Sequence, residues 1–456
     1  MEEDDNKRYD TFDDCGDLTD TSSFNEVSNN DIIKVIGVGG GGGNAVQYMY
    51  AQQIPNVNFV VLNTDKQALK KNSVPHKLIL GPDITHGGGA GNKPEIGRQC
   101  AEASAEEIKK LFDDHTQMVF ITAGMGGGTG TGAGPVVARL AKEAGMLTIG
   151  IVTIPFYFEG DKKILKALDG ADEMKKHVDA LLVINNENLI ELYKDFDLFN
   201  AFEKADDTLA NAARSISEII NEECYINVDF QDVKTILKDS GTAIISTAYG
   251  EGDKRISKAI SNALHSPLLK KHDINTSQRL LFKFVCSRKA EHPLRTEEFN
   301  EIRQFTANLP STIDVKWGIG DDPTMGDKVK VTVLASGFDV TLRETTGGQK
   351  GPMVFEGSNT SDAGKISADE KNKIAEAYGH EKLVEQVQNS AKLKYHVLKP
   401  GEFDDHEVIA LLERTPAFNR DARFNDEIEA ATNPGRETAQ QPRRREPEPG
   451  DVTITF

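Results

Sequence analysis

Two glycine runs and one pair of acids have the residue types and spacing to do chemistry. The first run, GVGGGGGNA at 37–45, follows an apolar stretch and leads into a helical pattern. Glycines there let backbone approach a ligand, aim N–H groups at phosphate oxygens and feed a helix N-terminus that favours negative charge. The second run, GMGGGTGTG at 124–132, again falls between a strand-like and a helical segment, and Thr129 and Thr131 add hydroxyl donors. Two phosphate-cradling turns in one domain suit a triphosphate. No GxxxxGK[ST] pattern occurs, which excludes an ordinary P-loop ATPase or GTPase. A third segment, HGGGAGNKP at 86–94, is placed to fold over a γ-phosphate. The acids are Asp229 and Asp232 in NVDFQDV. Three apart, they project from one face of a helix start. There they act as N-cap and first-turn acid, or orient a water for attack on a γ-phosphate and help hold Mg²⁺.

A different chemistry competes for the first run. Asp65 closes the second apolar stretch about where a ribose-binding acid stands in a dinucleotide fold, so an NAD-dependent oxidoreductase built on 37–42 is an alternative. It leaves GGGTGTG and NVDFQDV unexplained.

The elements that must position these residues follow from hydrophobic spacing. Short apolar runs at 32–38, 59–62, 118–122, 147–154 and 181–184 alternate with helical patterns such as 96–112 and 135–144. That is βαβ repeated, and it predicts a doubly wound parallel-sheet α/β domain over 32–204. An amphipathic stretch at 205–223, with Leu209, Ala212, Ile216, Ile219 and Ile220 on one face, predicts a central helix. A second, smaller α+β domain with a mixed sheet follows over 224–344 and carries the acidic loop at its start. From 345 to 407 the texture is that of a linker with a helical pattern near 374–387, and 408–420 (VIALLERTPAFNR) is an apolar island before a tail at 421–456.

Composition narrows the function classes. The formal net charge is −19, and residues 1–31 carry eleven acids against Lys7 and Arg8, the pattern of a disordered acidic tail. Such a chain repels nucleic acid and anionic membrane surfaces, so neither is the expected partner. Cys15, Cys100, Cys224 and Cys286 are scattered without CxxC pairs, and no apolar run approaches the roughly 18 residues of a spanning helix. Reduced thiols, a cytoplasmic home and no direct membrane insertion are the expectations.

In order along the chain stand IKVIGVGGGGGNA, NTDKQAL, PEIGRQCAE, GGGTGTG, PFYFEG and NVDFQDV. From about residue 32 to 338 the sequence therefore resembles the FtsZ family of bacterial tubulin-like cell-division GTPases. The resemblance implies a tubulin/FtsZ-like fold, GTP/GDP with Mg²⁺ as ligands, and GTP hydrolysis. It makes Gly39, Gly40, Gly41, Gly42, Gly43 and Asn44 one phosphate loop. Gly124, Met125, Gly126, Gly127, Gly128, Thr129, Gly130, Thr131 and Gly132 would form the other. Gly88, Gly89, Ala90, Gly91 and Asn92 would sit by the γ-phosphate, and Glu159 would take the ribose hydroxyls. Lys163 stands where many relatives carry an arginine, and a point-charge lysine lacks the bidentate fork. Asn186, Phe202 and Asp206 match positions that meet guanine; a carboxylate at Asp206 accepts from both guanine N1–H and the 2-amino group.

The resemblance further implies that Asn227, Asp229 and Asp232 enter the nucleotide site of a neighbouring subunit, so that hydrolysis needs assembly. Such a head-to-tail contact is open and propagates into a filament. The 408–420 peptide resembles the one by which the family meets membrane-tethering division adaptors at the division site. A tubulin-like filament that segregates plasmids or shapes cells, with the same chemistry, is the nearer alternative.

Overall fold

The computed structural model describes residues 31–192, 198–221, 224–265, 274–338, 367–379 and 406–414. The strands are β1 (Ile33–Val38), β2 (Val57–Asn63), β3 (His76–Ile79), β4 (Met118–Gly124), β5 (Leu147–Ile154), β6 (Ala180–Asn185), β7 (Cys224–Ile226), β8 (Gly241–Gly250), β9 (Arg279–Cys286), β10 (Asp314–Asp321) and β11 (Val329–Phe338). Between them run α1 (Gly39–Ala51), α2 (Lys66–Lys71), α3 (Pro82–Thr85), α4 (Pro94–Ala103), α5 (Ala105–Lys110), α6 (Thr129–Glu143), α7 (Asp161–Lys175), α8 (Glu187–Leu192), α9 (Leu198–Asn221), α10 (Phe230–Leu237), α11 (Arg255–Leu264), α12 (Phe299–Ala307) and, beyond the last strand, α13 (Ala368–Tyr378).

The strands form one sheet in the order β3-β2-β1-β4-β5-β6-β8-β11-β9-β10-β7. From β3 to β6 every pairing is parallel. These strands read as near-continuous apolar runs because helices cover both faces. All six residues of β1 are buried, and its one charge, Lys34, pairs with Asp114 at 2.6 Å. The second half is mixed, β11 running antiparallel to both β8 and β9.

Two boundaries drawn from sequence move. The sheet does not stop between the domains, because β6 pairs in parallel with β8 through Ala180↔Gly241 and Leu181↔Thr242. One core cluster accordingly runs from Ile33 and Phe120 through Leu209, Ile216 and Ile219 of α9 to Ile236, Leu281 and Leu334. A second lies over β8, β9, β11 and α11, with Phe282, Phe284 and Ile256 at its centre. The central helix begins at Leu198 rather than at 205, since the 198–204 segment continues the same helical path.

The stretch read as linker contains α13, and that helix packs on the first domain, burying Ile374, Ala375 and Tyr378. Its start is encoded locally: Ser367 Oγ accepts from Glu370 N–H at 3.2 Å while Glu370 Oε2 accepts from Ser367 N–H at 2.7 Å, a reciprocal capping box. A short helix at His406–Arg414 belongs to a separate unit that begins at Gly379. The acidic tail before residue 31, most of the remaining linker, 415–420 and the 421–456 tail lie outside the described residues. Among the described residues no helix is long and apolar enough to cross a membrane. Cys100, Cys224 and Cys286 form no disulfide.

Candidate nucleotide site and acid edge

The two glycine runs leave the C-terminal ends of β1 and β4, which are parallel neighbours. From β1 the chain turns outward to β2 and later returns to β4 on the other side, so a crevice opens where the strand order reverses. The loops meet backbone to backbone. A Cβ on Gly39 would lie 2.7 Å from Gly130 N, and one on Gly42 would lie 2.3 Å from Thr122 O. Gly39 and Gly126 also hold φ of +76° and +101°, a region that side-chain-bearing residues rarely adopt. By contrast a Cβ on Gly40 or Gly127 would meet nothing within 4 Å. These two positions face open space.

Helices α1 and α6 start at this crevice. Neither has a side-chain cap, and neither carries an acid in its first turn. A helix leaves its first N–H groups without intrahelical partners, and they and the dipole favour an anion. Thr131, expected to offer a hydroxyl, accepts from Gly126 N–H at 2.8 Å and is buried, so it shapes the turn. Thr129 Oγ1 sits 2.7 Å from Thr64 Oγ1. Met125 is buried and donates its N–H to Thr153 O at 2.9 Å, fixing the loop to β5.

The third loop closes on the second. A Cβ on Gly128 would stand 2.8 Å from Ala90 Cβ and 2.9 Å from Lys93 N. Gly88 bridges to Asp65, and Gly89 N–H donates to Thr64 O at 3.1 Å. Asn92 takes a positive φ of 59°, and its carbonyl accepts from Lys166 Nζ at 3.1 Å. Asp65 is engaged as the N-cap of α2, accepting from Gln67 and Ala68 N–H at 2.8 and 3.1 Å. The acid that a dinucleotide site needs on ribose is thus committed to the backbone.

On the nucleoside side, the loops after β5 and β6 lie together because those strands pair through Ile154↔Asn185. Glu159 Oε1 accepts from Phe156 N–H at 2.8 Å, and Oε2 takes the ammonium of Lys163. Lys163 therefore neutralises Glu159, and its stem and carbonyl pack where a Gly126 Cβ would fall. Asn186 is buried, and among the described residues its Oδ1 has no hydrogen-bond partner. A buried acceptor left unpaired costs stability, so the position suits a ligand that brings a donor. Phe202 and Asp206 fall within α9, but their side chains lie outside those described.

The acids stand elsewhere. Strand β7 is the sheet's far edge, and the loop after it holds Asn227, whose Oδ1 accepts from Cys224 N–H at 3.0 Å. Asp229 caps α10, accepting from Asp232 N–H at 2.9 Å, and Asp232 Oδ2 accepts in return from Asp229 N–H at 3.3 Å. The other carboxylate oxygen of Asp232 pairs with the ammonium of Lys316 on β10, which raises the lysine's pKa through that hydrogen bond. Beside them Tyr225 is 79 % exposed.

Strand polarity separates the two regions. Lys316 lies at the beginning of β10, and β10 runs parallel to β9, hence parallel to β8 and to the first-domain strands. Asp232 is thus at the N-terminal edge of the parallel strands, whereas the glycine loops occupy the C-terminal edge. Between these ends runs α9, whose 24 residues span about 36 Å at roughly 1.5 Å per residue. Within one chain the acids and the crevice therefore stand at opposite ends of the parallel strands.

Sequence reasoning missed Lys316, Asn185 and Tyr378. Lys316 had no local signal, since it matters through a partner far along the chain, and the bond from Asn185 to Ala377 is likewise distant in sequence. For α13 the Ser367/Glu370 capping box was a readable one.

Comparisons with known proteins identify the family and the fold. The model of the tubulin/FtsZ family GTPase domain matches residues 32–194, and that of the FtsZ family C-terminal domain matches residues 241–339. The cell division protein FtsZ of Porphyromonas gingivalis is 50% identical over 393 residues, covering 85% of each chain. That of Azotobacter vinelandii is 42% identical over 341 residues, 72% of this chain and 86% of the relative. Among solved structures, an empty FtsZ dimer from M. jannaschii superposes with a TM-score of 0.61 at 38% identity, over 67% of this chain and 88% of that one. GDP-bound CetZ1 from Haloferax volcanii shares the fold, with a TM-score of 0.59 at 22% identity, over 68% of this chain and 94% of that one.

Proposed function

This chain belongs to the FtsZ family of tubulin-like GTPases, and from that premise we propose that assembly switches on its hydrolysis, each crevice being completed by Asn227, Asp229 and Asp232 of the next subunit. Binding and hydrolysis of GTP in cell division, and self-association into filaments, come with the family. The observation that carries the trans reading is the placement of the acids at the end of the sheet opposite the glycine loops.

In this reading the triphosphate lies in the crevice against the first-turn N–H groups of α1 and α6. Backbone dipoles already pointing at the phosphates stabilise the charge that builds up in transfer without reorganising. Glu159 takes ribose hydroxyls; Asn186, with Phe202 and Asp206, takes guanine. Asp232 and Asp229 of the neighbour orient the attacking water. Mg²⁺ on the phosphates would neutralise charge there. Asp229 and Asp232 would help hold it together with the nucleotide's phosphate oxygens and water. The NAD reading has no support, because Asp65 is committed to α2 and the chain's relatives are division proteins.

We place the chain at the division site through the 408–420 peptide, held by a membrane-tethering adaptor. In the 408–420 sequence Val408, Leu411 and Leu412 recur at i, i+3 and i+4, the spacing of an amphipathic peptide. Deleting 408–456 should leave GTP turnover and assembly intact while abolishing recruitment to membranes.

The test of the trans site uses concentration and mixing. GTPase activity per subunit should rise with protein concentration until assembly is complete. Asp232→Ala and the pocket variant Gly128→Trp, each nearly inactive alone, should recover part of the activity when mixed. Activity per subunit that stays flat from far below to far above the assembly threshold refutes the shared site.

A further inference from the structure

Helix α13 reaches the nucleoside side of the crevice from beyond the second domain. Its last turn touches both loops there: Tyr378 Oη donates to Pro155 O at 2.6 Å, and Ala377 O accepts from Asn185 Nδ2 at 3.1 Å. Pro155 opens the loop that ends in Glu159, and Asn185 precedes Asn186. The Tyr378 ring lies 5.6 Å from that of Tyr157 and is 5 % exposed. At the middle of the helix, Lys373 pairs with Asp169 at 2.5 Å and with Asp172 at 3.3 Å, both on α7. Helix α7 itself begins at Asp161, directly after the Glu159 loop.

The contacts form a closed frame. Asn185 Oδ1 accepts from Glu187 N–H at 2.9 Å, and Glu187 Oε2 accepts from Tyr157 N–H at 2.8 Å, so the two loops are already bonded to each other. Tyr378 and the Ala377 carbonyl close that frame from outside, and Lys373 clamps the helix that carries the first loop away. A buried hydroxyl that has found a carbonyl resists displacement, because breaking the bond strands both groups in a water-poor site. Burial, and then the nearby Glu187 and Glu159, push the Tyr378 phenol well above its usual pKa, so it stays a donor.

We propose that α13 is a docked brace of the nucleotide site, with Tyr378 as the positioning residue that holds the Glu159 and Asn186 loops in their ligand-ready arrangement. The segment read as linker is then part of the site, although it touches no ligand atom. The inference rests on the assignment of Glu159 to ribose and Asn186 to guanine. Preorganising those loops lowers what binding must spend on ordering them, so loosening the brace acts on the nucleoside and leaves the phosphate grip of the glycine loops alone.

The experiment uses full-length protein below its assembly threshold and calorimetric titration with GTP, with 2′,3′-dideoxy-GTP and with inorganic triphosphate. Tyr378→Ala should weaken GTP about tenfold and Tyr378→Phe about threefold, with triphosphate binding unchanged. The preference of wild type for GTP over the dideoxy analogue should shrink in both variants. Lys373→Glu should weaken GTP likewise, and adding Asp169→Lys should restore part of the loss. Tyr378→Phe keeps the ring and its packing, so it tests the hydroxyl in a folded protein. Variants that bind all three ligands as wild type does, or that lose all three equally, overturn the brace. Glu159→Ala separates the two failures: if it leaves the ribose preference untouched, the site assignment has failed; if it removes the preference while Tyr378→Ala does not, only the brace has.

Discussion

The crevice is made of backbone and the acid edge of side chains, and the two respond differently to substitution. In the crevice Gly39, Gly42, Gly128 and Gly130 touch backbone or Cβ atoms of facing loops, so the shape exists before any ligand arrives. At the edge, Asp232 is held by one N–H and one lysine at a strand start, at the end of the sheet opposite the glycine loops. The crevice presents backbone to a ligand, whereas the acid edge presents side chains at the opposite end of the strands. Under the proposed shared site, that contrast would let the protein hold nucleotide as a monomer and hydrolyse it in a filament.

The largest effect should come at the edge and leave the crevice alone. Asp232→Ala should cut turnover in assembled filaments by about 100-fold or more, about 2.7 kcal/mol, with GTP affinity unchanged by titration. Loss of affinity in step with turnover would erase the distinction between the regions. Next, Gly130→Ala should damage the crevice as a whole. Its Cβ would sit 2.6 Å from Gly124 O, and overpacking of this kind costs about 1–3 kcal/mol. Thermal unfolding and nucleotide titration should both register it, and turnover falls only because binding does.

A subtler change sharpens the pocket side. Asn186→Ala removes a buried acceptor that has no partner among the described residues, so stability should change by less than about 1 kcal/mol. GTP binding should nevertheless weaken about tenfold, about 1.4 kcal/mol, and more than ATP binding does. A large drop in melting temperature with unchanged GTP affinity would make Asn186 a structural residue. The smallest effect belongs to Lys316. Exposed ion pairs contribute little, so Lys316→Met should lower turnover only a few-fold. Lys316→Arg should retain it, and the effect should vanish on an Asp232→Ala background. An additive loss there would mean that the lysine acts on something other than the acid.

Much of this was legible in local sequence because its causes are local. Glycine without a Cβ, alternating strand and helix periods, and an Asp three residues before another Asp each specify their geometry within a few residues. The glycine loops, the parallel half of the sheet and the α10 capping box therefore stand where the pattern put them. Likewise the 205–223 periodicity points to the central helix, whose observed bounds, Leu198–Asn221, differ from it mainly at the start.

Tertiary structure decided what depends on distant partners. Nothing near Ala180 announces that it will pair with Gly241 and merge two expected domains into one sheet. Lys316 acquires meaning only because β10 lands beside α10, and Tyr378 because a helix from the linker folds back on the loop at Pro155. Asp65 has the spacing of a ribose ligand but caps a helix instead, since the nearest unpaired N–H groups belonged to Gln67 and Ala68. The residue types were in the sequence; the separation of the acids from the glycine loops by the length of α9, on which the proposed shared site rests, came from strand polarity.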